Sequence, residues 1–389
     1  MEKTTRRNFL SFLGALPVSA YGFSHSVGDE DGHHLLFGLP PEPNAAISVG
    51  SEQMDEALEM LSPYAPSFRG GLSNHGPMNA EAMVSLGHHD VVKIWVENYR
   101  KRLEKRIAPK KRIENSKWRE ALGDESRSRD WDLLFSRQLA ESPWPKVLWL
   151  WVPRLAPGIA AAGLHGVIRV GHAVCSLSIK ENKLRLDELA RALGYWAATY
   201  MTLPGKYSGV GKLSPSSALK KVVQLPREAR VSRGLITTEL KDLLGFEPFA
   251  AAVDLVDPTK GSPSFMADLL ATFSGILINT KASSFDFLHA VTGAAAIAEL
   301  LPHVSKKEGP AVMAYTWQVA SAMFARHGQP GLVAEVKSGI ANEPVKKLAK
   351  LAVASGDEHS IKLVAACSRE WKRNSDPRHL AAAATRLLR

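Results

Sequence analysis

From about Ser51 onward, apolar residues recur at three- and four-residue spacing almost everywhere and hardly ever alternate with polar ones. Leu186 to Met201 (LDELARALGYWAATYM) shows the pattern well. Leu189, Leu193, Trp196 and Tyr200 stand four, three and four residues apart, on one face of a helix. The same spacing predicts helices over Pro77–Leu86, Asp90–Leu103, Asp130–Leu139, Pro145–Val152 and Ile159–Ser178. It predicts more over Pro263–Ile278, Phe285–Leu301, Pro310–Ala325, Pro330–Ser355, Asp357–Arg373 and from Pro377 to the end. Several begin on proline, whose missing N–H is harmless in a first turn. Strand ladders, βαβ alternation and a glycine-rich dinucleotide fingerprint are all missing from the pattern. The expected class is all-α, one large domain of packed helical hairpins over residues 51–389.

A chain that is 45% hydrophobic and 23% charged can build such a core without disulfides. The two cysteines, Cys175 and Cys367, lie in Ala/Val/Leu-rich helical patterns and read as buried, inert thiols. The flanks read differently. Thr5-Arg6-Arg7-Asn8-Phe9-Leu10 matches a twin-arginine export signal, followed by a short apolar stretch and small residues for cleavage after Ala20. Residues 1–20 are thus expected to be a signal peptide, with export to the periplasm or outside a bacterium; the alternative is an amphipathic start to a cytoplasmic protein. Phe9 to Ala20 is too short to span a bilayer, and no stable membrane insertion is expected. Residues 21–50, rich in Gly, Pro, His and acids, read as a linker or surface arm. Residues 202–226 read as a loop excursion at the rim of the domain.

The net charge is +10, and Arg100 to Arg119 alone holds ten Lys or Arg against two Glu. Such a run can attract phosphates or an acidic surface, but no nucleic-acid fold motif accompanies it. A solvated helix end and loop is the expectation, and nucleic acid is not an expected partner.

Of thirteen histidines, most lie in polar termini or at helix ends, and adjacent His88 and His89 diverge by about 100° on a helix. Five have small, apolar neighbours: His75, His165, His172, His289 and His359. His165 and His172 are seven apart, so they share a face but stand about 10.5 Å apart along the axis. Either is a candidate ligand, and Arg169 lies between them. A bundle core builds metal sites from inward side chains on facing helices. Imidazole suits iron, copper, zinc or nickel without choosing among them. No HExxH and no cysteine cluster points to a zinc protease or zinc finger. His75, Trp95; His165, Trp196; and His289, Trp317 also form a faint internal repetition.

The blocks Gly71-Leu72-Ser73-Asn74-His75-Gly76-Pro77-Met78 and His165-Gly166-Val167-Ile168-Arg169, with His172-Ala173-Val174, resemble the questin oxidase-like family. So do Glu188-Leu189-Ala190 with Tyr195-Trp196-Ala197, Phe287-Leu288-His289-Ala290-Val291-Thr292 and His359-Ser360-Ile361-Lys362. The resemblance runs from about Met54 to Trp371. It implies an oxidoreductase that inserts oxygen into, or opens, aromatic polyketide ketones. It also implies a mononuclear non-haem Fe(II) centre with His75, His165, His289 and His359 as ligands. Lys362, carboxylated by carbon dioxide, would complete it. His359 and Lys362, three apart, share a helix face. Cys175 departs from the basic residue expected after His172-Ala173-Val174.

On this reading the partners are a small aromatic substrate and O2, with Arg169 and His172 as catalytic residues that orient a carbonyl or move a proton. Tyr195 and Trp196 are candidates to wall an aromatic pocket. NADPH is a further expectation from the resemblance, although no binding fingerprint for it is present. Two rivals compete. One is a non-catalytic helical scaffold that docks an acidic partner through Lys101, Arg102, Lys105 and Lys110. The other is a metal-dependent hydrolase, which needs a carboxylate base such as Glu81, Asp286 or Glu358.

Overall fold

A computed structural model describes residues 50–231, 234–280, 284–328 and 343–388. The export signal and nearly all of the 21–50 arm lie outside the described residues.

The helical spacing is realised almost throughout. The longer helices of the first half are α1 (Ser51–Leu61), α2 (Gly76–Ser85), α3 (Val92–Tyr99), α4 (Ser128–Glu141), α5 (Trp144–Leu155), α6 (His165–Ile179) and α7 (Lys183–Ala198). Two short helices follow, α8 (Pro215–Leu219) and α9 (Ile236–Leu240). Then come α10 (Ser262–Asn279), α11 (Ser284–Leu300), α12 (Gly309–His327), α13 (Glu343–Ser355), α14 (Glu358–Asn374) and α15 (Pro377–Leu388). Strand structure is confined, among the described residues, to the two-residue hairpin β1 (Ser67–Phe68) and β2 (Leu72–Ser73) and a few isolated bridges. The class is all-α, with one contiguous hydrophobic core running from α1 to α15.

Four helices close a ring at the centre. α6 packs against α2 and α11, and α14 packs against the same two. Helices with neighbours on most sides must be apolar all round rather than amphipathic. The stretches Ala161–Ile179 and Phe285–His303 are accordingly apolar and long enough to cross a membrane, yet 78% and 72% of their apolar windows are buried inside the protein. α14, by contrast, keeps an amphipathic pattern with Lys372 and Arg373 in its last turn.

Three sequence boundaries shift. The expected helix Asp90–Leu103 ends as α-helix at Tyr99 and finishes as a 3-10 turn over Arg100–Arg102. The expected helix Ile159–Ser178 is broken: Ala162, Gly163 and Leu164 take left-handed φ angles of 48°, 61° and 70° before α6 starts at His165. Two non-glycine residues in that region cost roughly 1–2 kcal/mol each, so surrounding packing must hold the turn. Of the expected helix Pro330–Ser355, only Glu343 onward is described. The basic run forms irregular chain beyond Leu103, pinned where the Asp130 carboxylate accepts the amides of Lys110 and Lys111 and where Arg106 pairs with Asp132 at 2.7 Å. His379, which composition alone puts in a polar tail, is fully buried with Nδ1 3.1 Å from Ser274 Oγ, because α15 packs against α10.

Candidate metal centre

The four ring helices turn N-terminal ends toward one point. His75 is the N-cap of α2, where Pro77 favours the first turn. His165 is the first residue of α6, delivered by the left-handed turn before it. His289 lies in the second turn of α11, and His359 is the second residue of α14, which is capped by the Asp357 carboxylate. Close approach is needed to bring these ends together. A Cβ on Gly166 would stand 2.8 Å from Trp196 Cα, so only glycine lets α6 lie this near α7.

All four imidazoles meet. The ring centroids of His75 and His165 are 4.6 Å apart, those of His75 and His359 4.7 Å, and those of His165 and His289 4.7 Å. His75, His165 and His359 can offer ligand nitrogens that all lie within 4.8 Å of one another. Lys362, one turn along α14 from His359, is wholly buried with Nζ 3.4 Å from His75 Nδ1. These five residues are those named from the resemblance, and it is His165, not His172, whose ring meets the other imidazoles.

The protonation of two imidazoles can be read from their partners. His165 Nδ1 lies 2.7 Å from the carbonyl oxygen of Ala162, and His289 Nδ1 lies 2.7 Å from that of Phe285. A carbonyl only accepts, so each Nδ1 carries the hydrogen. Burial, then the charge of Lys362, pushes the His289 pKa down to about 3; burial and Lys362 also hold His165 well below its usual value. Burial and Lys362 thus favour the neutral form of both rings, which leaves each Nε2 as the acceptor nitrogen. Those two nitrogens face each other 3.2 Å apart. His359 Nε2 is likewise buried without a hydrogen-bond partner. Converging, unprotonated imidazole nitrogens are what a borderline metal cation takes, and the residues fit one.

Lys362 is the odd member. Burial drives its ammonium down to about 7, with Glu358 and Asp357 opposing the shift.

A cavity of about 170 Å³ opens onto the imidazoles of His75, His165 and His359. Phe68 and Leu72 of the hairpin, Leu235, Ile236 and Phe285 form apolar wall, while Arg102 and Glu358 form charged wall. The Phe285 ring stands 4.6 Å from both His289 and His359. The loop 202–226 contributes no residue to this cavity.

Arg169, His172, Tyr195 and Trp196 are not cavity residues. Arg169 makes a two-pronged pair with Glu188, at 2.6 and 3.0 Å, both buried. His172 Nδ1 lies 2.5 Å from Glu81, whose other contacts are 2.6 and 2.7 Å bonds from Arg369. Burial raises the Glu81 pKa, but Arg369 and His172 override it and hold the carboxyl at about 2. Tyr195 bonds Ser73 Oγ at 2.8 Å, and Trp196 donates to the Gly158 carbonyl at 3.0 Å. Of the three carboxylates singled out for a hydrolase, Glu81 serves His172, Asp286 stands 3.4 Å from His327, and Glu358 alone lines the cavity.

The sequence reading missed Phe285, the hairpin wall and residues 234–237. Phe285 had a signal, standing four before His289 on the same face. Phe68 and the 234–237 segment carry no motif, while Leu72 lies within the block quoted for the family resemblance. Compared with models of known protein families and with curated proteins, the chain matches none.

Proposed function

We propose that this protein is an oxidoreductase, a non-haem iron oxygenase acting on aromatic or quinone-type ketones. The observation that carries the reading is the 3.2 Å separation of the Nε2 atoms of His165 and His289, each ring having its Nδ1 against a backbone carbonyl. Such a pair is repulsive in an empty core and natural around a cation. His75, His165, His289 and His359 would hold Fe(II) together with a carbamate on Lys362. The iron, when bound, would supply activation of dioxygen. Its identity as iron, and the carbamate, rest on the family resemblance; the donor set by itself also suits copper, zinc or nickel.

The residues prepare this chemistry in definite ways. A Lys362 amine with its pKa near 7 is substantially neutral at physiological pH. A neutral amine would add carbon dioxide, forming an N–C bond and releasing one proton, and so would supply an anionic oxygen where a protonated lysine could not ligate. The apolar walls exclude water and suit a flat ring system, with Phe285 positioned to stack on it beside the imidazoles. Arg102 on the same wall, tied to Glu358, would offer a remaining N–H to a carbonyl or phenolate oxygen. Arg169 and His172 act from behind, steadying α6 through Glu188 and Glu81. A reductant, if NADPH, would reach the site without a nicotinamide fold. Export by the twin-arginine route belongs to the same proposal, since that route carries proteins already folded around a cofactor.

Metal analysis of purified protein, then of His289→Ala and Lys362→Ala, tests the centre. One equivalent of iron is expected in the parent and little in either variant. Full occupancy surviving both changes refutes it. Oxygen uptake on a panel of hydroxyquinones tests the activity, and turnover without oxygen would favour the hydrolase, for which Glu358 is the one placed base.

A further inference from the structure

The histidines of this centre are not held alike. His165 and His289 each have Nδ1 pinned by a backbone carbonyl at 2.7 Å, which fixes the tautomer. For His75 the neighbours of Nδ1 are two side chains. Glu358 Oε1 stands 3.3 Å away and Lys362 Nζ stands 3.4 Å away. They demand opposite things, because a carboxylate accepts a hydrogen from Nδ1 while an amine can donate one to it.

The Lys362 contact has hydrogen-bond geometry, whereas the Glu358 oxygen stands at ion-pair distance and is held there by a network of its own. Glu358 is the first residue of α14, on the cavity wall, with its side chain about one-fifth exposed (21%). Its other oxygen, Oε2, receives a hydrogen bond from Arg102. The Arg102 guanidinium in turn lies 4.1 Å over the ring of Tyr99, whose hydroxyl accepts the backbone N–H of His75 at 2.7 Å. Tyr99, Arg102 and Glu358 thus form one connected brace that touches His75 at both backbone and ring. A metal-ligating imidazole whose far nitrogen is held by a carboxylate has its tautomer and ring orientation set by that partner.

We infer that Glu358 is the positioning residue of this centre: it accepts the Nδ1–H of His75, anchored by Arg102, and leaves Nε2 as the free lone pair. The inference rests on the metal-centre reading for its binding consequence, but the tautomer belongs to the metal-free protein.

Two measurements separate them. In metal-free protein with 15N-labelled histidine, His75 is assigned by the signals lost in His75→Gln, and its tautomer is read from the ring nitrogen shifts. The Nδ1–H form is expected in the parent and in Glu358→Gln, whose amide oxygen still accepts, and the Nε2–H form in Glu358→Ala. Co2+ titration is expected to give a roughly 10–100-fold loss of affinity in Glu358→Ala and recovery in Glu358→Gln. An Nε2–H tautomer in the parent, an unchanged Co2+ affinity in Glu358→Ala, or equal losses in both variants would overturn the inference. If the parent binds no Co2+, the metal reading fails and the tautomer alone decides the role of Glu358.

Discussion

Lys362→Met should make the metal-free protein more stable while removing its capacity for metal. The lysine is wholly buried among neutral imidazoles, and its pKa falls from 10.5 to about 7. Each tenfold weakening of proton affinity on folding costs about 1.36 kcal/mol, so an amine protonated in the unfolded chain and neutral in the fold costs on the order of 4 kcal/mol at neutral pH. Methionine matches the length and apolar stem without the penalty, and the 3.4 Å contact to His75 that it forfeits is a weak one. The assay is denaturant unfolding in carbon dioxide-free, metal-free buffer at a series of pH values. The sign follows from a depressed folded pKa. The penalty is fully present below about 7 and disappears as pH rises toward 10.5, where the unfolded chain also loses its proton. The gain from methionine should therefore be largest at pH 7 or below and shrink steadily above it. A destabilised variant, or a gain independent of pH, would refute the account of Lys362 as an uncompensated buried amine.

Three further outcomes follow from the same structure. The folded pKa of His289 lies near 3 against 6.5 ordinarily, because of burial and then Lys362, so the metal-free protein should lose stability as pH falls from 6.5 toward 3, by a few kcal/mol from this residue alone, read by denaturation midpoints. Glu81→Gln removes the anion shared by Arg369 and His172 and should destabilise by roughly 3–5 kcal/mol in urea unfolding; a change under about 1 kcal/mol would mean the trio is not a buried ion pair. Gly166→Ala should cost roughly 1–3 kcal/mol and weaken metal uptake, since the added methyl meets the Trp196 backbone at 2.8 Å; calorimetry and metal content together check it.

How much of this was legible in the sequence differs by level. The helices were, because α7, α10 and α12 bury a face or a whole surface and carry the spacing that burial demands. The break before α6 was not. Ala162 and Leu164 have no turn chemistry of their own, and the left-handed path they follow is imposed by tertiary contacts around Gly163. The candidate centre was legible in part. Small apolar neighbours drew attention to His75, His165, His289 and His359, but the same signal also drew His172, which faces Glu81 instead. Seven residues of helix separate the two rings, and only the packing of α2 against α6 decides which reaches the others. Lys362 was invisible to pattern, since a lysine in an amphipathic helix normally reaches for solvent. Much of the cavity wall lies in a short hairpin and in the segment that enters α9, where local sequence says least about position.

His75 and Lys362, whose side chains touch, are 287 residues apart along the chain. His165 and His289, whose lone pairs oppose each other, are 124 apart. No partial chain lacking α14 can assemble this centre, and no single hairpin contains half of it. Loop closure of that length is slow and must precede any reward from the contact. If the proposed centre binds metal, the ion would not template early folding as it does in a zinc finger, because the residues that would hold it do not coexist until α14 docks. On the proposed metal reading, capture would report synthesis completed through α14: a chain that ends before it would stay silent to any probe of the centre, whatever helix content it has already gained.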